Sequence, residues 1–258
     1  MKIAAHILWI GLLTILTQVG GVAWLIAALS KGRKIMVFLL IYAAMVFAVP
    51  QIAENYGREP LPCFASEEIP LRAQSPMYCL LFRNYVTPEL AELTIALAKD
   101  MDAVYPGTIT QYLDAGLPFG QMPLLPHLSH RDGRKLDLAY FYEDAEGVYL
   151  AAKTRSPVGY WAFEAPSAGA RQPCTPKFPT LRWDMAWLQP ILPDRPLETA
   201  RTRAMVRWLL TDGHAMGVTR MFMEPHLVDS LDVSANIMRF QGCRAARHDD
   251  HIHIEISE

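Results

Sequence analysis

Charge is sparse and nearly balanced in this chain: 24 basic and 26 acidic residues leave 258 residues with a formal charge of −2. That balance excludes the basic surface expected of a nucleic-acid-binding protein. Cysteine is also scarce. The four, Cys63, Cys79, Cys174 and Cys243, show no Cys-x-x-Cys spacing, so disulfides are a better reading than a cysteine metal site, in any of the three pairings that four cysteines allow. Ser129 has none of the surroundings of a nucleophile elbow. Internal repeats and low-complexity tracts are lacking, and strands do not alternate regularly with helices as a parallel α/β sheet would require.

What the chain does have is apolar sequence at its start. Ile3 to Leu29 is a long run interrupted by His6, Thr14, Thr17, Gln18 and a Gly20-Gly21 pair, and Ile35 to Val49 is a second run. A spanning helix needs about 20 residues. The first run qualifies, and the second does so if Gln51 to Ala53 continue past Pro50. Lys31-Gly32-Arg33-Lys34 between the runs favours a cytoplasmic turn. Residues 1–53 are therefore expected to form a transmembrane helical hairpin in the lipid bilayer, with the N-terminus and everything after about residue 53 outside the cytoplasm. A cleavable signal peptide is the competing reading, and two buried core helices a third. All four cysteines fall in the exterior portion, where disulfides form.

Residues 54–86, rich in proline and without a sustained period, read as a linker and irregular lead-in. Residues 87–258 read as one domain. Thr87-Pro88 opens a helix that Tyr105-Pro106-Gly107 ends. Strands are expected at Thr108 to Leu113, Leu136 to Tyr142, Val148 to Ala152, Val218 to Glu224 and 251–256. A helix is expected from Leu197 to Met216, closed by Gly217. Residues 154–181 read as a long loop, either one wall of a substrate groove or an ordered surface excursion. The fold class is α+β, with a small antiparallel sheet and flanking helices.

The chemistry concentrates in two short segments. In His248-Asp249-Asp250-His251-Ile252-His253-Ile254-Glu255-Ile256, an extended strand puts His251, His253 and Glu255 on one face and the isoleucines on the other. Far upstream, His130-Arg131-Asp132-Gly133-Arg134-Lys135-Leu136-Asp137 offers a histidine in a glycine-containing turn and an aspartate where an apolar strand begins. Together they suggest a zinc site of two histidines and one aspartate, with spare histidines for chemistry.

The pattern His-x-x-Gly-x-x-x-Asp followed by His-x-His resembles the LAS metallopeptidases. The longer form, from His127-Leu128-Ser129-His130 to Asp137 and closed by His248 to His253, is similar to the penicillin-insensitive murein endopeptidases. The likeness covers roughly Ile109 to Ile256. Lys135 departs from it, standing where an acidic residue is expected. The resemblance implies Zn2+ held by His130, Asp137 and His253, with His251 and His248 acting around the reacting bond. It also implies a peptidoglycan peptide as substrate and a catalytic domain facing the periplasm or cell exterior from a bacterial inner membrane. A D,D-carboxypeptidase of the same fold is the alternative activity, and a non-catalytic zinc-containing cell-wall-binding module the alternative class.

Asp250 is a second candidate base, and Asp249 a capping or supporting carboxylate. On spacing alone His127 reads as a loop histidine, with a second metal or a hydrogen bond near the first as the other options. His214 is expected to satisfy carbonyls at a helix end, His226 to serve in a turn, with lining the groove as its alternative, and His6 to lie near the membrane interface. Cys243 is expected in a structural disulfide. Glu255 reads as a supporting or solvated carboxylate, and Trp161, Trp183 and Trp187 as core.

Overall fold

A computed structural model describes residues 2–174 and 186–257. Trp183 and the 175–181 end of the long loop lie outside the described residues. The helices, in chain order, are α1 (Lys2–Thr17), α2 (Gly20–Leu29), α3 (Lys34–Ala53), α4 (Pro76–Leu80), α5 (Pro88–Val104), α6 (Thr199–Leu210), α7 (Asp212–Ala215) and α8 (Pro225–Ser230). The strands are β1 (Glu59–Pro60), β2 (Leu71–Ala73), β3 (Tyr85–Val86), β4 (Thr110–Tyr112), β5 (Lys135–Ala139), β6 (Val218–Phe222), β7 (Met238–Arg239) and β8 (His251–Ile256). The fold is α+β. Its described residues divide into two compact units, one drawn from residues 1–61, 76–91 and 114–135, the other from 62–75, 92–113 and 136–258.

The first unit departs from the expected two-helix hairpin. The first apolar run does not form one long helix: it breaks at Gln18, whose φ of 64° is left-handed. Thr17 Oγ1 then accepts the Gly20 N–H at 2.8 Å. The chain folds back on itself there, because a Cβ on Gly21 would lie 1.9 Å from Thr14 Oγ1, so only glycine lets α2 pack this closely on α1. Gln18 is satisfied at a distance. Its Nε2 donates to Phe119 O at 2.6 Å and its Oε1 accepts from Phe119 N at 2.9 Å.

The pairs His6–Trp24 and Trp9–Trp24 show that α1 and α2 run antiparallel. The N-terminus therefore shares an end of this unit with Lys31-Gly32-Arg33-Lys34, which corrects the expectation of opposite ends. The second run is the longer helix. It continues through Pro50 into a 3-10 turn, Glu54–Tyr56. Among the described residues, Lys34–Tyr56 is the one helix long and apolar enough to cross a membrane. Val19, Val49, Ala53, Phe82 and Tyr85 form the core of this unit, and β1 pairs antiparallel with β3.

The second unit holds a six-stranded sheet in the order β2-β4-β5-β8-β6-β7. It is mixed, where an antiparallel sheet was expected. The pairs β4–β5 and β6–β8 are antiparallel, and β2–β4 and β6–β7 are parallel. Each parallel pair is joined by a long crossover: α4, β3 and α5 lie between the strands of the first, and α8 between those of the second. Ile252, Ile254, Leu136, Leu138, Val218 and Met221 bury the sheet's apolar side chains, and Met205, Val206 and Leu209 those of α6. The expected strand at Val148–Ala152 is reduced to a single Glu143–Tyr149 bridge. Trp187 is exposed, against its expected place in the core.

Candidate metal centre

The turn that carries the upstream motif is shaped by a glycine. Gly133 has φ 71° and faces the buried Arg58 guanidinium, whose Nη1 would lie 1.7 Å from a Cβ there. Arg58 in turn donates to the carbonyls of Gly120 and Arg131, at 3.1 and 3.3 Å. Asp132 closes the turn, accepting from Arg134 N and Lys135 Nζ.

Within this unit both histidines have Nδ1 engaged. His130 Nδ1 lies 2.7 Å from Ala115 O, and His127 Nδ1 lies 3.0 Å from Asp114 Oδ2. Such partners fix the ring and make Nε2 the nitrogen that a metal would take. Asp114 is buried and gripped by the Arg83 fork at 2.6 and 2.8 Å. Burial pushes its carboxyl up, but hydrogen bonds from His127 and Arg83 overcome this and hold it at about 2.

In the second unit, neighbouring β5 and β8 bring the downstream motif to Asp137. His253 Nδ1 lies 2.7 Å from Asp137 Oδ1, and His251 Nε2 3.7 Å from the same oxygen. Tyr160 Oη donates to Asp137 Oδ2 at 2.6 Å. Asp250 orients His251, with Oδ1 2.5 Å from its Nδ1, while Oδ2 accepts from Trp161 N at 2.5 Å. Both oxygens of Asp250 thus serve placement. His248 stacks near both other rings, at centroid distances of 4.9 Å to His251 and 5.8 Å to His253. Burial pulls the His251 imidazole down, yet the Asp137 and Asp250 carboxylates raise it to about 9. Burial likewise disfavours charge on His253, and the hydrogen bonds to Asp137 and Glu255 reverse it.

The ligand atoms of His127, His130 and Asp137 all lie within 4.8 Å of one another, so this group could hold a metal ion. Two imidazoles and a carboxylate are a donor set that zinc accepts. His127 belongs to this group, although spacing alone read it as a loop histidine.

The reading from sequence did not single out Tyr160, Asp114 or Arg83. Tyr160 comes from the long loop, whose near half is strapped down: Glu164 N donates to Asp249 O at 2.8 Å and Phe163 N to Gln189 Oε1 at 3.1 Å. Gly159, with φ 82°, makes the tight turn just before Tyr160. Asp249 is paired with Arg247. Away from the cluster, His214 Nδ1 meets Val218 O at 2.7 Å and His226 Nε2 meets Glu164 O at 3.0 Å. Glu255 pairs with Arg220 and approaches His253 Nε2 at 3.5 Å. Cys174 and Cys243 form a disulfide, and Cys63 and Cys79 are also disulfide-bonded.

No family model matches the chain, and no curated protein matches it at a significant level.

Proposed function

We propose that this protein is a membrane-anchored zinc metallopeptidase that hydrolyses amide bonds in peptidoglycan peptides, as the murein endopeptidases do. The observation that carries the reading is the position of Asp137. Its carboxylate belongs to one group with His127 and His130, and it lies 2.7 Å from His253. Two motifs that are remote in sequence thus share one residue. The apolar helix Lys34–Tyr56 and the disulfides fit an anchored domain outside the cytoplasm. The peptidoglycan substrate rests on the motif resemblance.

In this reading His130 and Asp137 would hold the ion together with His127, which the structure groups with them, and with His253, which the motif resemblance supplies. A zinc ion there would supply Lewis-acid chemistry, lowering the pKa of a water and polarising the scissile carbonyl. The protein's own groups divide the remaining work. Asp250 fixes His251 through Nδ1, so the ring presents Nε2 toward the Asp137 side of the cluster, where it can hand a proton to the departing amine. His248, beside both rings, helps to position the scissile group. Tyr160 holds the second oxygen of Asp137 and keeps that carboxylate from rotating.

The test is metal analysis of purified protein together with muropeptide profiles, with and without chelator. Zinc at near-stoichiometric amounts and chelator-sensitive loss of cross-linked dimers are expected. His130→Ala, Asp137→Ala and His253→Ala should each abolish both. Full cleavage in any one of them would overturn the assignment, and release of terminal D-Ala alone would indicate the carboxypeptidase. Bound zinc without turnover would indicate the binding module.

A further inference from the structure

The helices of the first unit differ in height in a way that bears on the membrane. At about 1.5 Å per residue, α3 is about 30 Å long, whereas α2, with 10 residues, rises only about 15 Å. Both start from the Lys31–Lys34 end, and the pair Trp24–Phe38 (5.6 Å between ring centroids) sets them side by side. α2 is too short to flank the whole of α3, and at the α1–α2 tip Val19 joins the core that Val49 and Ala53 share with Phe82 and Tyr85.

Beside that tip the flank of α3 is also covered by chain that does not belong to the apolar helices. Tyr42 Oη donates to Leu80 O at 2.7 Å, and the Tyr42 and Phe82 rings meet edge to face at 5.5 Å. Phe119 packs on the same core, and on Tyr56 at 5.2 Å. Tyr42 is 8 residues from Lys34 and 11 from Ala53, so this contact falls near the middle of the candidate span.

A protruding upper half of α3 would place this cover in water. The other side chains of that half oppose such a placement. Val46, Phe47 and Ile52 are 40, 77 and 47 % exposed, an apolar surface that continues the one on the lower half and calls for lipid rather than solvent. On α4 itself Met77 and Leu80 are 52 and 50 % exposed.

We infer that α4 and the turn after it, residues 76–82, are sunk into the acyl-chain region of the outer leaflet beside α3, with Met77 and Leu80 facing lipid. The inference rests on the membrane reading of α3 but not on the peptidase reading. It makes this unit a partly embedded platform. Because Gln18 holds Phe119 and Arg58 holds Gly120 and Arg131, the loop bearing His127 and His130 is fastened to that platform at the bilayer surface.

The experiment is depth-resolved quenching on the full chain in liposomes. An environment-sensitive fluorophore is incorporated by codon suppression at Leu80 in one preparation and at Phe47 in another. Quenching by acyl-chain spin-labelled lipid and by aqueous iodide is then compared. The expected result is strong lipid-borne quenching at both positions, with iodide several-fold less effective than on the free dye. Lipid-borne quenching at Phe47 with full iodide access at Leu80 would overturn the inference while leaving the spanning helix standing. Iodide access at both positions would overturn the inference and the membrane reading together. A parallel preparation labelled at Met77 guards against disturbance by a single label: agreement of Met77 with an embedded Leu80 supports the inference, and iodide access at Met77 overturns it.

Discussion

Tyr160 donates its phenolic hydrogen bond to Oδ2 of Asp137 at 2.6 Å, while His253 takes the other oxygen. The aspartate is thus held from both sides, and one of its holders comes from a loop. Supporting hydrogen bonds of this kind commonly change metal affinity or activity by about 10- to 100-fold. Tyr160→Phe should therefore keep the fold and weaken zinc binding within that range, read by chelator competition. Unchanged zinc affinity and unchanged turnover would remove Tyr160 from the site.

Asp114 predicts a stability effect. Replacing it by Asn leaves Arg83 a buried cation without its counter-charge, a loss that typically costs about 3–5 kcal/mol. Thermal unfolding of Asp114→Asn should show a large fall in Tm, and adding Arg83→Met should recover part of it. The pH dependence has a definite sign. The folded carboxyl titrates at about 2, below its ordinary 3.8, so its contribution is complete above pH ~4 and is lost as pH falls toward 2. A Tm that is indifferent to Asp114→Asn would contradict the buried ion-pair assignment.

Glu164 should act in the opposite direction. Burial raises its carboxyl to about 7 despite the Arg155 charge. A folded pKa above the unfolded value of 4.5 means that stability falls as pH rises from about 4.5 through 7, by on the order of 3 kcal/mol if fully expressed. Glu164→Gln should flatten that part of the Tm–pH curve and be the more stable protein at pH 8. Superimposable curves would show that the group ionises normally.

On the proposed membrane reading of Lys34–Tyr56, the antiparallel packing of α1 on α2 predicts a topology. With the N-terminus at the same end as Lys31-Gly32-Arg33-Lys34, the positive-inside tendency would put both in the cytoplasm. An N-terminal fluorescent-protein fusion should fluoresce, and a C-terminal alkaline phosphatase fusion should be active. An N-terminus accessible to external protease would refute the fold-back of the first run.

How far these features could be read from sequence depended on whether they were periodic. In β8 the alternation of histidine and isoleucine reports the two faces of a strand, and in the first motif the glycine reports a left-handed turn, so those segments were legible. Tyr160 carries no such signal, because its loop has no period and its partner is 23 residues earlier in sequence. Gln18 was visible as a polar residue in an apolar run, but the break it makes depends on Phe119, 101 residues away. The mixed sheet was obscured because two-residue strands such as β7 are too short to show any period.

Val19, Val49 and Ala53 share one core with Phe82 and Tyr85. The apolar helices are therefore not a detachable leash. A chain shortened to begin after Ala53 would bare two aromatic rings and leave the Phe119 backbone without Gln18. If such a fragment precipitated, it would have lost part of its own interior.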